Sequence, residues 1–212
     1  MQPHDEPPGL LAARLADGLT RLAAVARQLD WQAAETAGLT PTQAEILALL
    51  ARRPDGVRLG EAAAHLQVRA ATASDAVAAL LRKDLLTRQV DARNRRAVRL
   101  LLTGRGRDHA ARHVPGFAAV VAGLSPDEQR RALALVVKMI GDLLRRELIA
   151  PQRSCISCRH FRPHAHDDTA RPHHCAFVNA AFGNASLRLD CGEHEPATPE
   201  EAAVNWRRFQ AA

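Results

Sequence analysis

At 212 residues, with 47% hydrophobic side chains but only 3% aromatic ones and no Tyr, the chain can build one ordinary domain plus a small one around Leu, Ala and Val, a composition that favours helices. No apolar run is long enough to span a bilayer, and the opening MQPHDEPPGLLAARL is acidic and Pro-rich where a signal peptide is basic and then apolar, so a cytoplasmic protein without membrane contact is expected. The net charge of +6 lies wholly in residues 1–150, because seven Arg balance seven acids from Pro151 onward.

Leu11, Leu15, Leu19, Leu22, Val25 and Leu29 recur at three- to four-residue steps and predict an amphipathic helix from Pro8 to about Ala34. A second helix begins at LTPTQAEILALL, where Thr40 caps, Pro41 takes the first helical position and Gln43 completes a capping box. RRPDGV ends it with a turn signal. The Ala-rich stretches RLGEAAAHLQV and RAATASDAVAALLRKDLL predict two short helices with a tight turn near Val68. Next, LLTRQVDARNRRAVRLLLT has apolar, β-branched flanks around an Arg-rich centre, the pattern of a β-hairpin with a basic tip. RDHAARHVPGFAAVVAGL predicts a helix broken at Pro115. A last long helix follows, with Ser125 and Glu128 as its capping box and a stripe running from Leu133 through Val137 and Leu144 to Leu148.

Between Arg82 and Arg112 ten basic residues face three acidic ones, a focused positive patch suited to a polyanion, or alternatively a solvated Arg-rich face. Helix-turn-helix followed at once by a basic hairpin is the order of a winged helix-turn-helix. In LTPTQAEILALLA, LGEAAAHLQVRAATASDAVAALLRKDLLTR and VDARNRRAVRLLLTGRGR the sequence resembles the MarR family of transcription regulators over about residues 8–148. The resemblance implies a mainly α fold with a small β-hairpin wing, a homodimer joined through the first and last helices, and binding of double-stranded DNA. A small-molecule effector would sit between the dimer and DNA-binding parts. In the second helix of the motif, Arg69, Thr72 and Ser74 are short or hydrogen-bonding side chains fit to enter a major groove, while Val77, Leu80 and Leu81 face the core. The hairpin tip offers Arg93, Arg95 and Arg96 to phosphates or the minor groove. Two positions depart from the family pattern. Asn94 stands before Arg95 and Arg96 where an Asp commonly braces the wing, leaving Asp91 as the substitute, and Asp84 stands where a Gly commonly ends the recognition helix.

All four cysteines fall in the tail, spaced C-x2-C-x16-C-x15-C at Cys155, Cys158, Cys175 and Cys191. In a reducing compartment such a set points to one shared metal site. Residues 151–212 are therefore expected to form a small Cys-rich module appended to a winged-helix domain of residues 1–150. One knuckle, two single cysteines and nearby Phe161 and Phe177 resemble high-potential iron-sulfur proteins and favour a [4Fe-4S] cluster. Zinc is the alternative, given six His in the tail. The expected function is a DNA-binding regulator, a repressor, whose metal site senses redox state or iron, or stabilises the dimer. Two rivals are a redox or electron-transfer module with a protein-binding winged helix, and a ligand-responsive regulator with structural zinc. No catalytic constellation is legible, so an enzyme is not expected.

Overall fold

The computed structural model describes residues 8–91 and 94–211, with the side chains of Pro8, Arg95 and Arg96 left aside. In chain order it has α1 (Pro8–Thr36), α2 (Pro41–Ala51), α3 (Leu59–Leu66), α4 (Ala70–Arg82), strands β1 (Leu86–Asp91) and β2 (Asn94–Leu102), α5 (Gly104–Arg112), α6 (Gly116–Val121) and α7 (Pro126–Arg145). Three short strands, β3 (Phe161–Arg162), β4 (His173–Cys175) and β5 (Ala180–Phe182), and α8 (Pro199–Gln210) complete it. The chain parts into two compact units. One holds the residues up to Leu59 with Ala70–Gly123, and the other holds Gly60–Arg69 with everything from Leu124. The charge balance changes at Pro151, but α7 shares a unit with the cysteine segment.

In the first unit, α2 is the central helix. Ile46, Leu47, Leu49 and Leu50 are buried, and α1, α4, α5 and β2 all pack on it. Its start is the expected capping box: the Gln43 amide donates to Thr40 Oγ1 at 3.3 Å and the Thr40 amide to Gln43 Oε1 at 3.4 Å. The Pro115 break is realised as α5 and α6, and the Gly116 amide donates to Asp30 Oδ1 of α1 at 2.7 Å. Strands β1 and β2 form the expected antiparallel hairpin, Leu86 opposite Leu102, with an irregularity at Val90/Asp91. Val57 pairs with Leu100 at its edge. That approach requires Gly56, whose φ is 76° and where an added Cβ would lie 2.6 Å from the Leu100 carbonyl oxygen. At the end of α4, Asp84 adopts the left-handed conformation, φ 56°, in the place of the Gly common in such wings.

In the second unit, α7 begins at the Ser125/Glu128 capping box. Its apolar face is covered by the tail. Val137 is buried with Ile156, Cys158, Phe161, Leu187, Trp206 and Phe209, and Leu133, Ala134 and Leu144 pack against that cluster. Gly141 makes the packing possible, since a Cβ there would lie 2.5 Å from Trp206 Cζ3 and 2.9 Å from Ile156 Cγ1. Part of the stripe expected to join two copies is thus used within the chain, leaving Val136 and Leu148 of it exposed. The sequence reading predicted neither the antiparallel sheet β3-β4-β5 nor α8.

Candidate functional site

Helix α4 sorts its side chains into two faces. Ala73, Ala76, Val77 and Leu80 are buried. Thr72 and Ser74 on its first turns are exposed, as is Arg69 just before it in the chain. Small buried residues let the helix lie close to its own unit while polar atoms stay free on the other side. Arg93 lies outside the described residues, and Arg95 and Arg96 are placed only as backbone of β2.

The wing is braced as the sequence suggested, by Asp91. This carboxylate is 5% exposed and accepts from Arg99 Nε at 2.9 Å and Arg58 Nη2 at 3.2 Å. Arg99 also donates from Nη1 to the Gly56 carbonyl at 2.7 Å and the Asp55 carbonyl at 3.2 Å. One guanidinium therefore ties both strands of the hairpin to the α2–α3 connection. Asp91→Asn leaves these donors short of their anion and is expected to cost about 1–3 kcal/mol. Urea denaturation checks this, and an unchanged midpoint would show that the brace is dispensable.

In the tail, local structure places each thiol. A 3-10 turn, Cys155–Ser157, carries the knuckle, and the Cys158 amide donates to the Cys155 carbonyl at 3.0 Å. Cys175 ends β4 between Phe161 of β3 and Ala180 of β5. Cys191 lies on a loop held by its backbone: its amide donates to the Arg153 carbonyl at 2.8 Å, and Arg153 Nε returns a bond to the Cys191 carbonyl at 2.8 Å.

All four cysteines line one cavity of about 160 Å³, walled by Phe161, Phe177, Val178 and Phe182, with Arg188 and Glu193 among its polar members. The Arg188 amide donates to Cys155 Sγ at 3.2 Å. Burial pushes the Cys155 thiol up to about 11; the Arg188 amide opposes the rise, and Cys191, Cys158 and Cys175 add to it. The thiols are thus close enough to feel one another. Among the described residues, however, no three His, Cys, Asp or Glu side chains are drawn together tightly enough to hold a metal ion. They ring a space instead of meeting at a point.

The tail's histidines are mostly engaged elsewhere. His173 is fully buried, its Nε2 2.8 Å from Asn184 Oδ1 and its Nδ1 accepting from the His164 amide at 3.3 Å. Burial lowers its pKa, so the ring stays neutral behind Phe161 and Phe182. His166 pairs with His174, and His194 Nε2 lies 3.0 Å from Ser157 Oγ. His160 lines the cavity, and its buried Nε2, although 3.3 Å from Glu195 Oε1, has no hydrogen-bond partner among the described residues. Sequence reasoning missed Arg188 and Glu193; their only signal was their closeness in sequence to Cys191.

Comparison with known proteins accounts for the first part of this arrangement. The model of the MarR family matches residues 37–97. No curated protein matches the chain. Among solved structures, the transcriptional regulator SlyA is 24% identical over 60% of this chain and 94% of its own, with a TM-score of 0.50. A MarR transcriptional regulator from Methanosarcina mazei Go1 is 18% identical over 63% of this chain and 98% of its own, at 0.51. The S. aureus MepR–DNA complex aligns more loosely, 24% identical over 66% of this chain and 100% of its own, at 0.43. Residues 37–97 of this chain are thus similar to the MarR family, and SlyA and the Methanosarcina mazei regulator share the fold.

Proposed function

We propose that the chain is a DNA-binding transcription regulator, a repressor, whose four-cysteine pocket holds a [4Fe-4S] cluster and reports redox state or iron supply. One observation carries the DNA reading: within a MarR-type motif, the exposed face of α4 is limited to short and polar side chains beside a braced, Arg-rich wing. The dimer is supported by the exposed Leu11, Leu15, Leu19, Leu22 and Val25 on α1 and Phe117 and Val121 on α6, a larger apolar face than a monomer ordinarily leaves to water. A cavity of about 290 Å³ among α1, α2 and α5, lined by Leu47, His109 and Arg112, suits a small anionic effector. Among the described residues no helix is long and apolar enough to cross a membrane.

The cluster reading rests on the shape of the pocket. A single zinc ion needs its thiolates at about 2.3 Å from one centre, which would close the space. A cavity of about 160 Å³ is benzene-sized. Four thiols around an apolar space of that size suit a polynuclear cluster, whose cations would also hold the thiols ionised against burial.

Titration on operator and unrelated DNA tests the regulator reading. Arg95→Ala or Arg96→Ala is expected to weaken binding to both DNAs about equally and to lower the salt slope by about 1 per lost phosphate contact. Thr72→Ala or Ser74→Ala is expected to act on the operator preferentially. Wild-type affinity and slope in the wing variants would refute this division of labour.

A further inference from the structure

Three of the four thiols belong to the packed part of the tail. Cys158 is a member of its buried cluster, Cys155 packs against that cluster from the 3-10 turn, and Cys175 ends a strand paired on both sides. Cys191 differs. It sits on a loop outside any helix or strand, and its Sγ is 3.3 Å from Glu193 Oε2. Arg188 Nη1 stands over both, 3.7 Å from Cys191 Sγ and 3.4 Å from Glu193 Oε2. Glu193 itself lines the cavity with the four cysteines.

We propose that Glu193 is a reserve ligand of the cysteine pocket, its carboxylate able to replace the Cys191 thiolate at the same iron. This deepens the cluster reading and rests on it. Oxygen and sulfur already share one corner of the cavity, so the exchange needs a side-chain rotation and no movement of the loop. The backbone is fixed independently of either side chain: Cys191 is bonded to Arg153 through both amide and carbonyl, Arg153 Nε is 3.3 Å from Asp190 Oδ1, and the Arg159 amide donates to the Glu195 carbonyl at 2.9 Å. Arg188 offsets the anionic charge of whichever group is bound and of the one that is not. In the exchange one iron–thiolate bond breaks, one iron–carboxylate bond forms, and the departing thiolate takes a proton from water. No electron is transferred. Carboxylate oxygen is a harder donor than thiolate, so the two bound states differ at one iron and a signal at Cys191 would be read as a change of ligand instead of a loss of the cluster.

The test uses the full chain, reconstituted anaerobically with ferrous iron and sulfide, and reads iron and sulfide content with the visible and paramagnetic-resonance spectra. Cys191→Ala is expected to keep iron and sulfide near the wild-type content with an altered spectrum. Cys191→Ala with Glu193→Gln is expected to lose most of both. The tail of Glu193→Gln alone should resist protease as the wild type does, which shows that the substitution leaves the module folded. If Cys191→Ala empties the site as fully as Cys158→Ala, or if the double variant keeps its cluster, Glu193 is not the ligand. If wild-type protein takes up no iron and sulfide, the cluster reading itself fails, and that outcome is distinct from the other two.

Discussion

A chain cut after Ala150 is expected to lose the protection of α7. The helix has its own capping box and good helix formers, but its buried face belongs to the tail: Val137 is fully buried there, and Leu133, Ala134 and Leu144 pack on Ile156 and its neighbours. Returning one fully buried Val or Leu to water costs about 1.5–3 kcal/mol. Losing the tail uncovers one such residue and parts of three more, so the loss amounts to several kcal/mol, a large share of the stability of a small unit. Gly141 sharpens the point, because its missing Cβ is the space that Trp206 fills, and without α8 that position is only a weak spot in the helix. Hydrogen exchange measures the effect directly. Amides of residues 133–144 should exchange at least a hundredfold faster in the shortened chain, while those of α2 keep their rates. Equal protection in both chains would mean that α7 draws its stability from elsewhere.

What covers α7 is also where sequence reading ran out. The three- to four-residue spacing from Leu133 to Leu144 announces an apolar face but is silent about its partner, and a second copy of the chain and the chain's own tail satisfy the same pattern. Helix starts were more legible, because a capping box is a local signal: Thr40/Gln43 and Ser125/Glu128 were read and are formed. Thr198, Pro199 and Glu201 spell the same signal and open α8, in a tail whose sequence is dominated by its cysteines and histidines. Strands β3, β4 and β5 are two or three residues long, too short for alternation to register. Asp91 was picked out as a brace, but its partners Arg58 and Arg99 are 33 and 8 positions away and had to be found in the fold. The cysteine spacing predicts a shared site, and the four cysteines line one cavity; the apolar walls of that cavity, and the Arg188–Glu193 pair at Cys191, depend on how the loops close.

Cys158→Ser is expected to unfold the cysteine module and leave the winged helix intact. Cys158 does two jobs. It is a proposed cluster ligand, and at 8% exposure it belongs to the apolar cluster that joins the module to α7. Its backbone is equally committed, closing the 3-10 turn onto Cys155 and bridging to Pro196. A tail of about sixty residues buries too little apolar surface to stand alone, so a metal or a covalent staple commonly supplies what is missing. Ligand affinity is then folding energy. A hydroxyl in place of this thiol weakens a bond to iron and puts an unpaired polar group into the cluster formed by Ile156, Phe161 and Phe209. The core of the other unit, Ile46, Leu49, Val77 and Leu80, lies in a separate compact body and should be untouched. Limited proteolysis with metal analysis decides the matter: cleavage confined to α7 and residues 151–212, loss of iron, and α2 and α4 left protected are the expected set. A variant free of metal whose tail resists protease as well as the wild type would show that packing alone holds the module, and the four-thiol site would then have no role in its fold.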